Sequence, residues 1–119
     1  MQYDTNNVFH KIIHKEIDAN IVLNGKHYLA IHDIAPRAPI HILMIPKGNY
    51  IDYNDFATNA SPEEIIDFHN GLSKIIKMMR LNIGGFKLIS NAGMFEYRSL
   101  EKQQVMHMHV HILGNLYSE

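Results

Sequence analysis

The chain has 119 residues, a formal charge of −1, and 46% hydrophobic and 19% charged residues. That length supports one hydrophobic core and is read as a single domain, 1–119. The near-zero charge offers no electrostatic basis for binding nucleic acid or a membrane surface, and the absence of cysteine excludes disulfides and thiolate metal ligands.

Met1 to Asn7 joins no basic stretch to an apolar run, and no segment approaches the ~20 apolar residues of a membrane helix. The expectation is a cytoplasmic protein without a leader. The first element is a short helix, from about Asn6 to Lys15. Val8, Phe9, Ile12 and Ile13 form its apolar stripe, and Asp4 to Asn7 offers N-caps. Ile21-Val22-Leu23, then Asn24-Gly25, then Lys26 to His32 reads as a β-hairpin, because Asn-Gly suits the tight turn between two strands. On the returning strand Tyr28, Ala30 and His32 share one face, and His27, Leu29 and Ile31 the other.

Asp33 to Pro39 is a turn stiffened by two prolines. Ile40 to Ile45 is a third strand, with His41, Leu43 and Ile45 on one face. Tyr50 to Ala60 reads as loop with a helical turn near Asp52 to Phe56. Ser61-Pro62-Glu63-Glu64 is a capping box with proline at the first helical position, and opens a long helix to about Leu81. Its apolar face is Ile65, Phe68, His69, Leu72, Ile75, Ile76 and Met79. Phe86 to Ser90 is a fourth strand, Asn91 to Lys102 a long connection, and a fifth strand ends the order. The pattern predicts an α+β fold: an antiparallel sheet of about five strands, one long helix and a short N-terminal helix. At this size an exposed apolar helix face or sheet edge favours a homodimer.

The fifth strand carries most of the chemistry. It reads Met106-His107-Met108-His109-Val110-His111-Ile112-Leu113-Gly114. On a strand His107, His109 and His111 share one face, roughly 6–7 Å apart, and Met108, Val110 and Ile112 the other. On a helix the three imidazoles would spread over about 200°. Such a row can ligate a metal, perform nucleophilic or acid–base chemistry, or simply form a solvated polar face. His41 sits on a strand able to lie beside it.

Together these residues resemble the histidine-triad (HIT) family, whose signature is His-x-His-x-His with apolar residues between. The similarity extends to Phe9-His10-Lys11-Ile12-Ile13, to Ala30 through Lys47, and to Phe86 through Gly93, in order and with compatible spacing. The branch that hydrolyses purine nucleoside phosphoramidates looks closest.

The resemblance implies a nucleotide hydrolase with a nucleotidyl-histidine intermediate, no cofactor and no catalytic metal. It implies that His109 attacks phosphorus, that His41 holds the ring of His109, that His107 supports the site, and that His111 binds the phosphate. Asp33 would meet the ribose hydroxyls and Asn91 the sugar or phosphate. Phe9, Ile12, Ile31 and Ile34 would line a slot for the purine. A purine-nucleotide-binding module with little turnover is the alternative. The segment before the row departs from the family: it is several residues longer, with Lys102 where glycine is expected and Gln104 where Ser or Thr serves the leaving group. Some relatives hold a structural zinc; the matched positions here are Asn7, His10 and Asn49, and two amides make a poor zinc site. In relatives the C-terminal tail can reach the partner subunit's site, and the resemblance implies the same for Tyr117.

Overall fold

The computed structural model describes residues 2–98 and 100–116, so Tyr117 lies outside the described residues. The elements run α1 (Val8–Ile13), β1 (Ile21–Asn24), β2 (Tyr28–His32), β3 (Ile40–Pro46), α2 (Tyr53–Asn59), α3 (Pro62–Met78), α4 (Leu81–Gly84), β4 (Phe86–Ile89) and β5 (Val110–Gly114). One antiparallel sheet carries the strands in the order β1-β2-β3-β5-β4. This is the expected α+β class.

The sheet buries both faces. On one side Tyr28, Ala30, Ile42, Met44, Met108, Val110 and Ile112 meet Phe68, Leu72 and Ile75 of α3. On the other, Leu29, Ile31, Leu43 and Ile45 meet Phe9 of α1, with Ile12 and Ile13 packed around them. The period-two alternation of β2 and β3 therefore serves two cores, one under each helix. Gly71 lets α3 lie close on the sheet: a Cβ there would come 2.5 Å from Met44 Cε and 2.7 Å from Tyr28 Cζ.

The helix ends follow local chemistry. Asn7 caps α1 by accepting the His10 N–H, and Ser61 and Glu64 form the expected capping box on α3. Three expectations need correction. The loop after β3 holds a seven-residue helix, α2, capped by Asp52. The long helix stops at Met78, because Arg80 adopts a left-handed conformation (φ 56°) and the chain restarts as the single turn α4. The fifth strand begins at Val110, not Met106. Proline explains the last difference: by register, Met108 would pair with Pro46, which has no N–H to give. Met108 instead donates its N–H to the Tyr50 carbonyl at 2.8 Å, and the Ser90 hydroxyl donates to the His109 carbonyl at 2.8 Å. The alternation survives outside the ladder, with Met108 in the α3 core and His107 and His109 on the α1 side.

Candidate active site

The α1 side of the sheet gathers His41 from β3, His111 from β5, and His107 and His109 from the extended approach to β5. His107, His109 and His41 are buried; His111 is half-buried. The Phe9 ring stands edge-on to His109, 5.0 Å between centroids, and to His107 at 6.3 Å. The His109 and His111 rings lie 5.1 Å apart, and those of His111 and His41 5.2 Å apart.

The hydrogen bonds assign a tautomer to each imidazole. His109 Nδ1 lies 2.7 Å from the His107 carbonyl. A carbonyl only accepts, so Nδ1 carries the proton and Nε2 keeps a free lone pair. His107 Nε2 lies 2.8 Å from the Pro46 carbonyl, so it donates there, and its Nδ1 accepts from the Tyr3 hydroxyl at 2.5 Å. His41 Nδ1 accepts the Arg37 backbone N–H at 3.1 Å. Its Nε2 must then hold the proton, which it shares between His111 Nδ1 at 3.0 Å and Asp33 Oδ2 at 3.2 Å. His111 Nδ1 is thus an acceptor, and its Nε2–H is left to donate elsewhere.

All four rings favour the neutral state. Burial pushes His107 down to about 4, against the help of the Pro46 carbonyl. Burial, together with neighbouring imidazoles, takes His111 to about 4. Burial likewise lowers His109 and His41, with Asp33 opposing it in each case. A neutral His109 with its Nδ1 proton tied to a carbonyl is a competent nitrogen nucleophile at neutral pH.

Metal chemistry fits this donor set poorly. Asp33, His41 and His111 bring ligand atoms within 4.8 Å of one another. However, a cation on His41 Nε2 would require the proton on Nδ1, where it would face the Arg37 N–H. Of the matched zinc positions, Asn7 and His10 meet at the Tyr3 hydroxyl, and Asn49 reaches His10. Asn7 Nδ2 donates to the hydroxyl at 3.0 Å, and His10 Nδ1 lies 3.5 Å from it and 3.2 Å from Asn49 Oδ1. Two amides and one imidazole do not make a zinc site.

The remaining expected residues divide. Asp33 lies at the site, its Oδ1 accepting the Ala35 N–H at 2.8 Å. Asn91 is half-buried beside Ser90, whose hydroxyl touches the His109 carbonyl. Phe9 and Ile31 are core residues and Ile12 packs against them, whereas Ile34 is fully exposed (100%) on the turn. Gln104 is exposed and lines a hollow with Asn6, Asn7 and Met106. Its neighbour Gln103 is the buried residue: Nε2 donates to the Ile51 and Val105 carbonyls, and Oε1 accepts the Gly93 N–H. His41 contacts His111 and not His109, so the expected orienting partner of His109 is replaced by the His107 carbonyl. Sequence reading missed Tyr3, Gln103 and the backbone of Arg37. Only Tyr3, an aromatic in a polar segment, left any local trace.

A HIT domain family model matches residues 14–116. An uncharacterised HIT-like protein of Rickettsia prowazekii is 43% identical over 112 residues, spanning 94% of this chain and 89% of that protein. The adenylylsulfatase HINT1 of Arabidopsis thaliana is 35% identical over 116 residues, spanning 93% of this chain and 72% of that protein. The solved structure of a HIT family hydrolase from Legionella pneumophila superposes with a TM-score of 0.78 at 32% identity, covering 96% of each chain. The chain belongs to the HIT domain family.

Proposed function

We propose that the chain is a metal-independent nucleotide hydrolase that cleaves nucleoside 5′-monophosphoramidates, or related nucleotidyl conjugates, through a nucleotidyl-His109 intermediate. The observation that carries the reading is the free Nε2 lone pair of a neutral His109 whose Nδ1 proton rests on the His107 carbonyl. Nε2 attacks the α-phosphorus, the phosphorus–nitrogen bond breaks, and the amine leaves with a proton from water. The imidazole now carries positive charge, which the carbonyl at Nδ1 stabilises. Water then attacks phosphorus, the phosphorus–His109 bond breaks, and the nucleoside monophosphate leaves with His109 neutral again. His111 offers its Nε2–H to a phosphate oxygen, Asp33 serves the ribose hydroxyls and Asn91 the sugar or phosphate. The name adenylylsulfatase, borne by a relative, supports an adenylyl conjugate as the substrate class.

We place the protein in the cytoplasm as a homodimer. The cysteine-free composition fits a reducing compartment, and among the described residues no helix is long and apolar enough to cross a membrane. Ile66 and Met78 of α3 and Phe86 and Leu88 of the edge strand β4 are exposed apolar side chains for a second copy to cover. Sedimentation should give twice the 13.7 kDa chain mass.

The direct test follows AMP release from adenosine phosphoramidate. Release should persist in a chelator, and a His109→Ala variant should lose it; full activity in that variant overturns the mechanism. The second reading, a nucleotide-binding module, is favoured by the exposed position of Gln104, where the leaving group would need a donor. AMP binding without cleavage of any phosphoramidate would establish it.

A further inference from the structure

Tyr3 lies far from the histidine row in sequence, yet its hydroxyl is the meeting point of three other side chains. The phenolic oxygen accepts from Asn7 Nδ2 at 3.0 Å and lies 3.5 Å from His10 Nδ1. His10 Nδ1 also lies 3.2 Å from Asn49 Oδ1, which only accepts, so His10 Nδ1 carries a proton and is a donor toward Tyr3 as well. The lone pairs of Tyr3 are therefore taken by two donors, and its own proton has one acceptor left: His107 Nδ1, at 2.5 Å. Packing reinforces this, because the Tyr3 ring stands at 72° to the His107 ring with centroids 5.6 Å apart. Asn7 is itself fixed, since its amide nitrogen donates to the Asp4 carbonyl and its oxygen caps α1.

His107 is thus held at both nitrogens, by Tyr3 on one side and by the Pro46 carbonyl on the other. A ring clamped at both ends fixes its own backbone. That backbone supplies the carbonyl that takes the Nδ1 proton of His109 at 2.7 Å.

We infer that Tyr3 is a positioning residue: its hydroxyl, donating to the Nδ1 lone pair that the Pro46 contact leaves free, holds the His107 ring in one pose, and thereby aims the His107 carbonyl at His109 Nδ1. Of the matched zinc positions, Asn7 and His10 here hold a phenol and orient its proton, and Asn49 holds the donor nitrogen of His10. The kinetic side of this inference rests on the hydrolase reading above; the structural side does not.

Two variants test it. Tyr3→Phe keeps the ring and removes the hydroxyl. Asn7→Asp keeps a good N-cap but replaces the amide donor with a carboxylate acceptor that competes for the Tyr3 proton. Nitrogen-15 NMR of the histidine rings, without substrate, should show His107 wholly in the Nε2–H form in the parent. In both variants the Nε2–H form should persist, held by the Pro46 carbonyl, while the His107 Nδ1 resonance moves downfield toward that of a nitrogen that accepts no hydrogen bond, with His109 shifted as well. With adenosine phosphoramidate, kcat should fall about 10-fold while KM changes by less than about twofold, the pattern of lost alignment rather than lost binding. An unchanged His107 Nδ1 resonance in both variants overturns the inference. So does a shifted His107 Nδ1 resonance with kcat at the parent level, which would cut the link to His109. If the parent itself turns over no phosphoramidate, the hydrolase reading fails, and the ring spectra alone decide the role of Tyr3.

Discussion

His41 gives its Nε2 proton to His111, 3.0 Å away, and not to the His109 ring. The choice is made by a backbone group: the Arg37 N–H occupies His41 Nδ1 at 3.1 Å and forces the proton to the other nitrogen. The four histidines therefore form two units. His107 and His109 make one, in which a carbonyl sets the tautomer of the proposed nucleophile. His41 and His111 make the other, in which a ring sets the tautomer of the proposed phosphate donor. Replacing His41 with Phe keeps an aromatic ring and removes the proton, so His111 loses its enforced Nε2–H form. Loss of one preorganised donor to the reacting phosphate should lower kcat about 100-fold, with His109 still nucleotidylated on trapping. Steady-state rates and intact-protein mass after substrate mixing check this; an unaltered kcat would show that His111 needs no partner.

Acid should destabilise the fold in a defined window. His107 has an ordinary pKa of 6.5 and is held near 4 by burial, so the unfolded chain binds its proton first as pH falls. Stability from neutral burial is fully present above about pH 6.5 and is lost as pH falls through about 4. For His107 alone the loss is about 3 kcal/mol, and His111, lowered to about 4, acts in the same direction. Glu63 and Glu64 are also lowered, but from 4.5, so their effect falls below this window. The midpoint of thermal unfolding should be level between pH 8 and 7 and fall by roughly 10 °C by pH 4.5. A level midpoint across the range would contradict neutral burial of the row.

Gln103 should prove a structural residue despite its place in a long polar connection. It closes the neck of the loop by pairing with Gly93, through its own N–H to the Gly93 carbonyl at 2.7 Å and its side chain from the Gly93 N–H. Its amide also satisfies the Ile51 and Val105 carbonyls. Gln103→Ala leaves these partly covered groups without their partner and should cost about 2 kcal/mol, read by denaturant unfolding. Gln104→Ala, at the exposed neighbour, should change stability by less than about 0.5 kcal/mol.

Gly71→Ala tests the approach of α3 to the sheet. Helix propensity alone favours alanine by about 1 kcal/mol. The new methyl, however, would press on the fully buried Met44 and on the Tyr28 ring. Overpacking of that kind costs about 1–3 kcal/mol, so the variant should be net destabilised by about 1 kcal/mol. A stabilised variant would mean that α3 can shift without loss.

Local pattern was enough for much of this protein. The alternation of Met108, Val110 and Ile112 with the histidines placed the apolar set in the α3 core even where the strand ladder is absent, because side-chain alternation needs only extended backbone. Ser61-Pro62-Glu63-Glu64 specified the start of the long helix, because a capping box is satisfied within four residues. The end of that helix was not legible, since Arg80 is neither glycine nor asparagine, the residues that usually announce a left-handed stop.

The sequence by itself determined that three imidazoles and His41 would meet on one side of a sheet, and through several matching motifs it determined the family. Which atom of each ring carries a proton was decided only by the tertiary structure. Tautomers are set by hydrogen-bond partners, and here those come from distant segments: the Pro46 carbonyl for His107 across 61 positions, and His41 for His111 across 70. Spacing within one strand carries no record of which remote carbonyl or N–H will stand opposite a ring nitrogen. That is why the orienting partner expected for His109 proved to be the neighbouring carbonyl of His107, and why Tyr3 went unnoticed until the chain was folded.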